Sequence, residues 1–323
     1  MANVIAKIGV YGDIHLRDKN YGAHRDYPTE SLEYFGKITE VTRKRELTHL
    51  IGLGDFSYGR FQDLSYRLKV EKELMEQYEL VKGNRYELLG NHDLAGYGLV
   101  ERDFYIARGL LKPSENLTIG NLNITMIDYD KHNETEVNIV DDNDHINFIL
   151  AHDFYKFKDT DVANFGAAIE LDNFDRWFGA DYLVCGHVHK IMGFKGSIIK
   201  DSMSHELFVH YLGCMTRPSY REGHMDDKGQ MLILTLYDDG QLEYDIEDIE
   251  LWDIEKSFNL AEKEKQKQKK EEKAERVDIS DVVKQLDSHK RDVGNPEDII
   301  KNMSGIDEKY KNKAIELLKS ALA

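Results

Sequence analysis

Cysteine is scarce in this chain. Only Cys185 and Cys214 occur in 323 residues, far apart and with no paired spacing, so a disulfide framework and a thiolate zinc site are both excluded. Each lies in an apolar, strand-like stretch and reads as a buried structural residue. Long apolar runs are missing too: none approaches the roughly 20 residues needed to span a bilayer, so no membrane partner is expected. The segment from Met1 to Lys7 lacks the basic and then apolar pattern of a secretion signal, which points to a cytoplasmic protein. Positive charge is also in deficit, and the formal net charge is -17. That argues against unaided, non-specific DNA binding, whose affinity comes from basic groups neutralising phosphates. Phosphate substrates are still admissible, because bound divalent cations can supply local positive charge.

What is present is mostly an ordinary globular composition, 41% hydrophobic and 32% charged. Residues 3 to 11 read as an apolar strand, Leu32, Phe35, Ile38 and Val41 as a helical face ending at Arg43-Lys44-Arg45, and Thr48 to Leu53 as a second strand. A helix is expected from about Gln62 to Lys82, closed by Gly83-Asn84, and a third short strand at Tyr86 to Leu89. Leu99 to Leu111 reads as a helix stopped before Pro113, and Leu117 to Tyr129 as a hairpin turned at Gly120-Asn121. Further strands are expected at Ile146 to Ala151, Asp181 to Cys185, Ile191 to Ile199, Leu207 to Gly213, Met231 to Tyr237 and Gln241 to Ile249. Alternation of strand and helix in the first half is the pattern of an α/β sheet, whose sites lie at the carboxyl ends of the strands.

The character changes after Trp252. Residues 261 to 276 are almost wholly charged or amide-bearing and read as a solvated helical spacer with no apolar stripe. Apolar residues return from Val277. Asn295-Pro296-Glu297-Asp298 has the form of a helix start, and Ile306, Tyr310, Ala314, Leu317, Leu318 and Ala321 mark one face of a last helix suited to docking on another surface.

Five strands end in clusters of polar side chains: Asp13 and His15; Asp55; Asn91, His92 and Asp93; His152; and His187 with His189. Residues two apart on an extended segment point the same way, so Asp13/His15 and His187/His189 can each grip one site. Each cluster alone is a common turn sequence; their recurrence at successive strand ends is not. The set offers carboxylate, amide and imidazole without thiolate, which suits Mn²⁺, Fe or Zn²⁺. Two divalent ions about 3.5 to 4 Å apart can share an attacking water and clamp a phosphate, provided one carboxylate bridges them.

The series Gly12-Asp13-Ile14-His15, Gly54-Asp55, Gly90-Asn91-His92-Asp93, His152 and Gly186-His187-Val188-His189 resembles the calcineurin-like metallophosphoesterase superfamily. The resemblance implies an α/β fold of four layers, an αββα sandwich. It also implies that Asp13, His15 and His189 hold one ion, Asn91, His152 and His187 the other, and that Asp55 bridges. His92 would then be free to protonate the leaving oxygen, with Asp93 orienting it. The two ions are expected to be Mn²⁺, with Mg²⁺, Fe or Zn²⁺ as alternatives.

Within the superfamily, the Phe56-Ser57-Tyr58-Gly59-Arg60 segment lacks the Asp-Arg-Gly ending of protein Ser/Thr phosphatases. The stretch from Tyr211 to Glu222 is instead similar to that of SbcD-type DNA double-strand-break repair nucleases, including phage recombination nuclease subunits, although Cys214 stands where a Ser is usual and Tyr58 where a His is common. This implies a DNA nuclease subunit that pairs with an SMC-like coiled-coil ATPase through residues 255 to 323 and forms a homodimer, in the host cytoplasm if the chain is phage-encoded. Tyr58, Arg17 and Arg217 are expected to contact substrate. The corresponding domains are a catalytic unit at 1-215, a reduced capping β-hairpin at 216-254, a charged linker at 255-276 and a helical element at 277-323. Two alternatives stand beside this reading: a small-molecule or cyclic-nucleotide phosphodiesterase on the same core, and a catalytically idle scaffold.

Overall fold

The computed structural model describes residues 2-20, 22, 24-94, 101-140, 144-160, 167-217 and 228-259, together with Lys265, Glu308, Lys311, Asn312 and Ile315. The chain divides into two compact units, Met1–Phe258 and Asn259–Ala323. The five described residues beyond Asn259 in the second unit are helical; otherwise the expected spacer and terminal helices lie outside the described residues.

The first unit is built on two sheets. One has the order β13-β12-β1-β2-β3 and the other β10-β11-β9-β6-β5-β4. The first contains β1 (Val4–Tyr11), β2 (His49–Gly52), β3 (Arg85–Glu87), β12 (Lys228–Tyr237) and β13 (Leu242–Glu250). The second contains β4 (Leu117–Ile119), β5 (Leu122–Ile127), β6 (Ile146–Ala151), β9 (Tyr182–Cys185), β10 (Ile191–Lys200) and β11 (Met203–Leu212). A short ribbon pairs β7 (Tyr155–Lys156) with β8 (Ile169–Glu170). Among the described residues no helix is long and apolar enough to cross a membrane.

Three buried clusters order the layers. Ile8, Val10, Ile51, Leu232 and Leu234 of the first sheet meet Ile124, Phe148, Leu150 and Val184 of the second, so the sheets face each other across an apolar core. The outer face of the first sheet is covered by α1 (Tyr27–Arg45), α2 (Leu64–Leu80) and α3 (Glu101–Ala107), through Tyr34, Phe35, Ile38, Val70, Leu74 and Tyr105. The outer face of the second is covered by the segment carrying Phe154, Tyr155, Phe157, Leu171 and Trp177, whose helical content among the described residues is two 3-10 turns, Leu171–Asn173 and Asp175–Trp177. This is the expected four-layer order with a fourth layer of single turns.

Two readings change. Helix α1 begins at Tyr27, earlier than the apolar spacing showed. Asp26 caps it by accepting from the Thr29 N–H at 3.2 Å, and Pro28 sits in the first turn, where its missing N–H costs nothing. The hairpin read as a cap is part of the first sheet: β12 pairs antiparallel with β1 from Met231 to Tyr237, because its alternate leucines face the inter-sheet core.

Parallel pairing then sets the site. Tyr11, Gly52 and Glu87 are level at the carboxyl ends of β1, β2 and β3, and Ile127, Ala151 and Cys185 are level at those of β5, β6 and β9. Flush ends place all the polar clusters along one edge of the sandwich. The register of β1 and β3 is held by a buried network. Tyr11 Oη donates to Glu87 Oε2 at 2.6 Å, Arg85 Nη2 donates to the same oxygen at 2.8 Å, and Arg85 Nε donates to Gln77 Oε1 of α2 at 3.0 Å. All four residues are fully buried. Arg85→Met leaves the Glu87 carboxylate unpaired in the core, so the variant is expected to lose about 3 to 5 kcal/mol in equilibrium urea unfolding. Adding Glu87→Leu should recover part of that loss.

Candidate metal centre

Each site residue follows a strand at the shared edge. His15, Asp55 and His187 have φ values of 49°, 50° and 73°, in the left-handed region that non-glycine residues rarely occupy. Such conformations cost about 1 to 3 kcal/mol each and persist where surrounding contacts over-determine them. Those contacts are visible: His15 N–H donates to the Asp55 carbonyl at 2.9 Å, and His187 N–H donates to both Asp13 carboxylate oxygens at 3.1 and 3.0 Å. Gly90 is required by space, since a Cβ there would stand 2.1 Å from Asp55 Oδ1 and 2.2 Å from the Asp55 nitrogen.

The seven expected ligands converge on two adjoining groups. In one, His15 Nε2 and His189 Nε2 lie 2.9 Å apart, His189 Nε2 is 3.4 Å from Asp13 Oδ2, and His15 Nε2 is 3.7 Å from Asp55 Oδ2. In the other, Asn91 Oδ1 is 3.1 Å from His152 Nε2 and 2.9 Å from His187 Nδ1, and His152 Nε2 is 3.5 Å from Asp55 Oδ2. Donor atoms at about 2.1 Å from a common divalent ion are separated by about 3 to 3.5 Å, so both groups have the spacing of coordination polyhedra. Asp55 belongs to both. Its Oδ1 accepts from the His92 N–H at 2.8 Å, while the buried Oδ2 has no hydrogen-bond partner among the described residues. An orphaned carboxylate oxygen facing both groups is what a bridging ligand needs. His152 Nδ1 is 2.7 Å from the Leu53 carbonyl, and donation there leaves Nε2 to bind.

The electrostatics agree. Burial raises Asp13 to about 8, with the charge of Asp55 adding to the rise and His152 opposing it. Asp55 is pulled the other way: burial opposes ionisation, but His152 and His15 hold its carboxyl well below the usual range. For His152 burial favours the neutral ring, yet Asp55 and Asp13 push it up to about 10. Burial lowers His15 to about 3 and, helped by the charge on His152, His187 to about 4. These two imidazoles therefore present lone pairs at neutral pH.

The remaining expected residues make contacts of their own. Asp93, expected to orient the His92 ring, bonds to backbone groups among the described residues. Its carboxylate accepts from the backbone N–H groups of Gly90 at 2.9 Å, Ser57 at 3.0 Å and Phe56 at 3.3 Å, tying the loop after β3 to the loop after β2. Arg217, expected at substrate, is 3% exposed, and its charge acts on Glu30 of α1. Tyr58 and Arg17 are beside the site, but they stack: the Tyr58 ring lies 4.7 Å from that of His92 at 27°, and the Arg17 guanidinium sits 4.8 Å over Tyr58. Tyr129 was missed. It follows β5, with its ring 6.0 Å from His187 and 6.2 Å from His152, and its signal was a sixth strand end flanked by acids, Asp128 and Asp130.

The family model for calcineurin-like phosphoesterases matches residues 6–191. The chain belongs to that family. Its membership and the His/Asp cluster together point to a dinuclear divalent-metal site in a phosphoester hydrolase. A search of curated proteins returned no match. Among solved structures, the chain is similar to a dimetal phosphatase from Danio rerio at 12% identity, covering 77% of this chain and 97% of that one with a TM-score of 0.45. It is also similar to Vps29 from Chaetomium thermophilum at 12% identity, covering 76% and 98% with a TM-score of 0.30.

Two outcomes follow from the geometry. Burial and the Asp55 charge raise Asp13, and Asp55 and Asp13 raise His152, so both groups hold protons more tightly than usual and a divalent ion would compete with those protons. Mn²⁺ loading at pH 7 should therefore release protons, measurable by calorimetry in buffers of different ionisation enthalpy, and affinity should rise with pH through the Asp13 value of about 8 toward the His152 value of about 10. Gly90→Ala should sharply weaken Mn²⁺ binding, because the added methyl displaces Asp55.

Proposed function

We propose that this protein is a metal-dependent DNA nuclease, hydrolysing phosphodiesters as the nuclease subunit of a repair or recombination complex with an SMC-like ATPase. The observation that carries the chemistry is the unpartnered Asp55 Oδ2 between two three-residue groups. Asp13, His15 and His189 would hold one ion, Asn91, His152 and His187 the second, and Asp55 would join them. Bound there, two divalent ions, Mn²⁺ in this proposal, would supply charge neutralisation for the phosphoryl oxygens and a water made nucleophilic at neutral pH. His92, with its backbone held by Asp55 and its ring edge-on to His15 at 5.0 Å, donates a proton to the leaving oxygen.

Support for DNA as substrate comes from the nuclease-like stretch beginning at Tyr211. Its described part is laced to the first ligand loop: Met215 N–H donates to the Asp13 carbonyl at 2.7 Å, Cys214 Sγ donates to the same carbonyl at 3.2 Å, and Thr216 Oγ1 donates to the Ile14 carbonyl at 3.1 Å. The acidic net charge supports a partner that contributes DNA affinity, and residues 255-323 have the position and composition for docking it. A homodimer of the catalytic unit completes the proposal.

The test is Mn²⁺-dependent degradation of single- and double-stranded DNA with the ATPase supplied. His92→Ala should lower turnover about 10² to 10⁴-fold while leaving Mn²⁺ binding intact. Asn91→Ala should instead weaken Mn²⁺ binding. Inert DNA alongside rapid turnover of a cyclic nucleotide would favour a small-molecule phosphodiesterase; absence of bindable metal would favour a scaffold.

A further inference from the structure

The Tyr58 ring carries two groups stacked on it, the His92 imidazole at 4.7 Å and 27° and the Arg17 guanidinium at 4.8 Å. These contacts use the π surface that a substrate base would otherwise need. The column is anchored through the backbone. Tyr58 N–H donates to the Leu16 carbonyl at 2.9 Å, Leu16 N–H donates to the Phe56 carbonyl at 3.0 Å, and Asp93 holds the Phe56 and Ser57 N–H groups. Arg17 is fixed in turn by its N–H, which donates to Tyr66 Oη of α2 at 3.0 Å. Thus Leu16 and Ser57 form an isolated parallel β-bridge, with Arg17 and Tyr58 the residues that follow on its two sides.

His92 needs such a support. Its backbone N–H is pinned by Asp55, but the χ2 torsion of a histidine is broad, and the ring is only partly buried. Asp93 holds backbone groups of the neighbouring loops. The face of Tyr58 and the edge of His15 are the ring contacts that limit His92 rotation among the described residues.

We infer that Tyr58, backed by Arg17, is a positioning residue that fixes the plane of the His92 imidazole and aims its ring nitrogen at the leaving oxygen. The inference rests on the reading of His92 as the proton donor. It requires the Tyr58 ring but not its hydroxyl.

The experiment compares Tyr58→Leu, Tyr58→Phe and Arg17→Met in the full chain with Mn²⁺. Two phosphodiesters are used: DNA, whose leaving group needs a proton, and bis(4-nitrophenyl) phosphate, whose leaving group does not. Tyr58→Leu is expected to lower kcat on DNA about 10 to 100-fold with KM little changed, and to lower turnover of the nitrophenyl diester by less than about threefold. Tyr58→Phe should restore DNA cleavage, and Arg17→Met should fall between. Independently of turnover, the His92 ring resonances in ¹H–¹³C spectra, recorded with diamagnetic Mg²⁺ in place of Mn²⁺, should move in Tyr58→Leu and return in Tyr58→Phe, and the Mn²⁺ content of the variants should be unchanged. Equal losses on both diesters, a KM effect alone, failure of Phe to restore turnover, or unmoved His92 resonances would each overturn the inference. If His92→Ala itself cleaves DNA normally, the proton-donor reading fails instead, and the resonance shifts still report whether the stack exists.

Discussion

Asp55 is the constraint around which this site is arranged. One oxygen accepts the His92 N–H and the other is buried without a hydrogen-bond partner between His15 and His152. A buried, ionised carboxylate costs several kcal/mol unless opposite charge is supplied. Here that charge comes first from His152, which is why this imidazole is pushed up while its neighbours His15 and His187 are pushed down. Asp13, facing the same imidazole, is raised by burial and by the charge of Asp55. The polar residues are thus a set of groups that bound cations would satisfy together.

That arrangement makes severe demands on the backbone. Two carboxylates and four imidazoles converge where the two sheets meet, so the turns must be tight enough to bring the strand ends together. Left-handed backbone at His15, Asp55 and His187, and the missing side chain at Gly90, meet that demand. The compensation is spread through neighbouring loops. Asp93 binds three backbone N–H groups, Leu53 offers its carbonyl to His152, and the segment at Cys214 to Thr216 is bonded to the loop of Asp13 and Ile14. Residues that resemble catalytic partners by position in sequence are in part the frame that holds the others in place.

The layers explain why such a site is stable. Apolar strands packed face to face give an inter-sheet core, and parallel register makes their carboxyl ends flush. Each sheet is then covered on its outer side, one by three helices and the other by single 3-10 turns around Trp177. The polar edge is carried on rigid strands, and only the few residues after each strand depart from regular structure.

Most of the strands were legible because hydrophobic runs ending in glycine and polar clusters have a physical signature, and the seven candidate ligands stood out because each sits at such an end. Side-chain period separates strand from helix and marks where a chain leaves the sheet. It does not say which strand lies beside which, so the hairpin at Lys228 to Glu250 could be read as a cap until its pairing with β1 was seen. Nor does it say what a polar side chain touches. Asp93 follows His92 directly but binds backbone groups 36 and 37 residues away, Arg217 is buried and its charge acts on Glu30, and Tyr58 meets His92 across two loops. Local sequence therefore determined the elements and the metal-capable residue types, through periodicity and turn chemistry. The tertiary structure alone decided the roles of the neighbours, because those depend on contacts between segments that are distant in the chain.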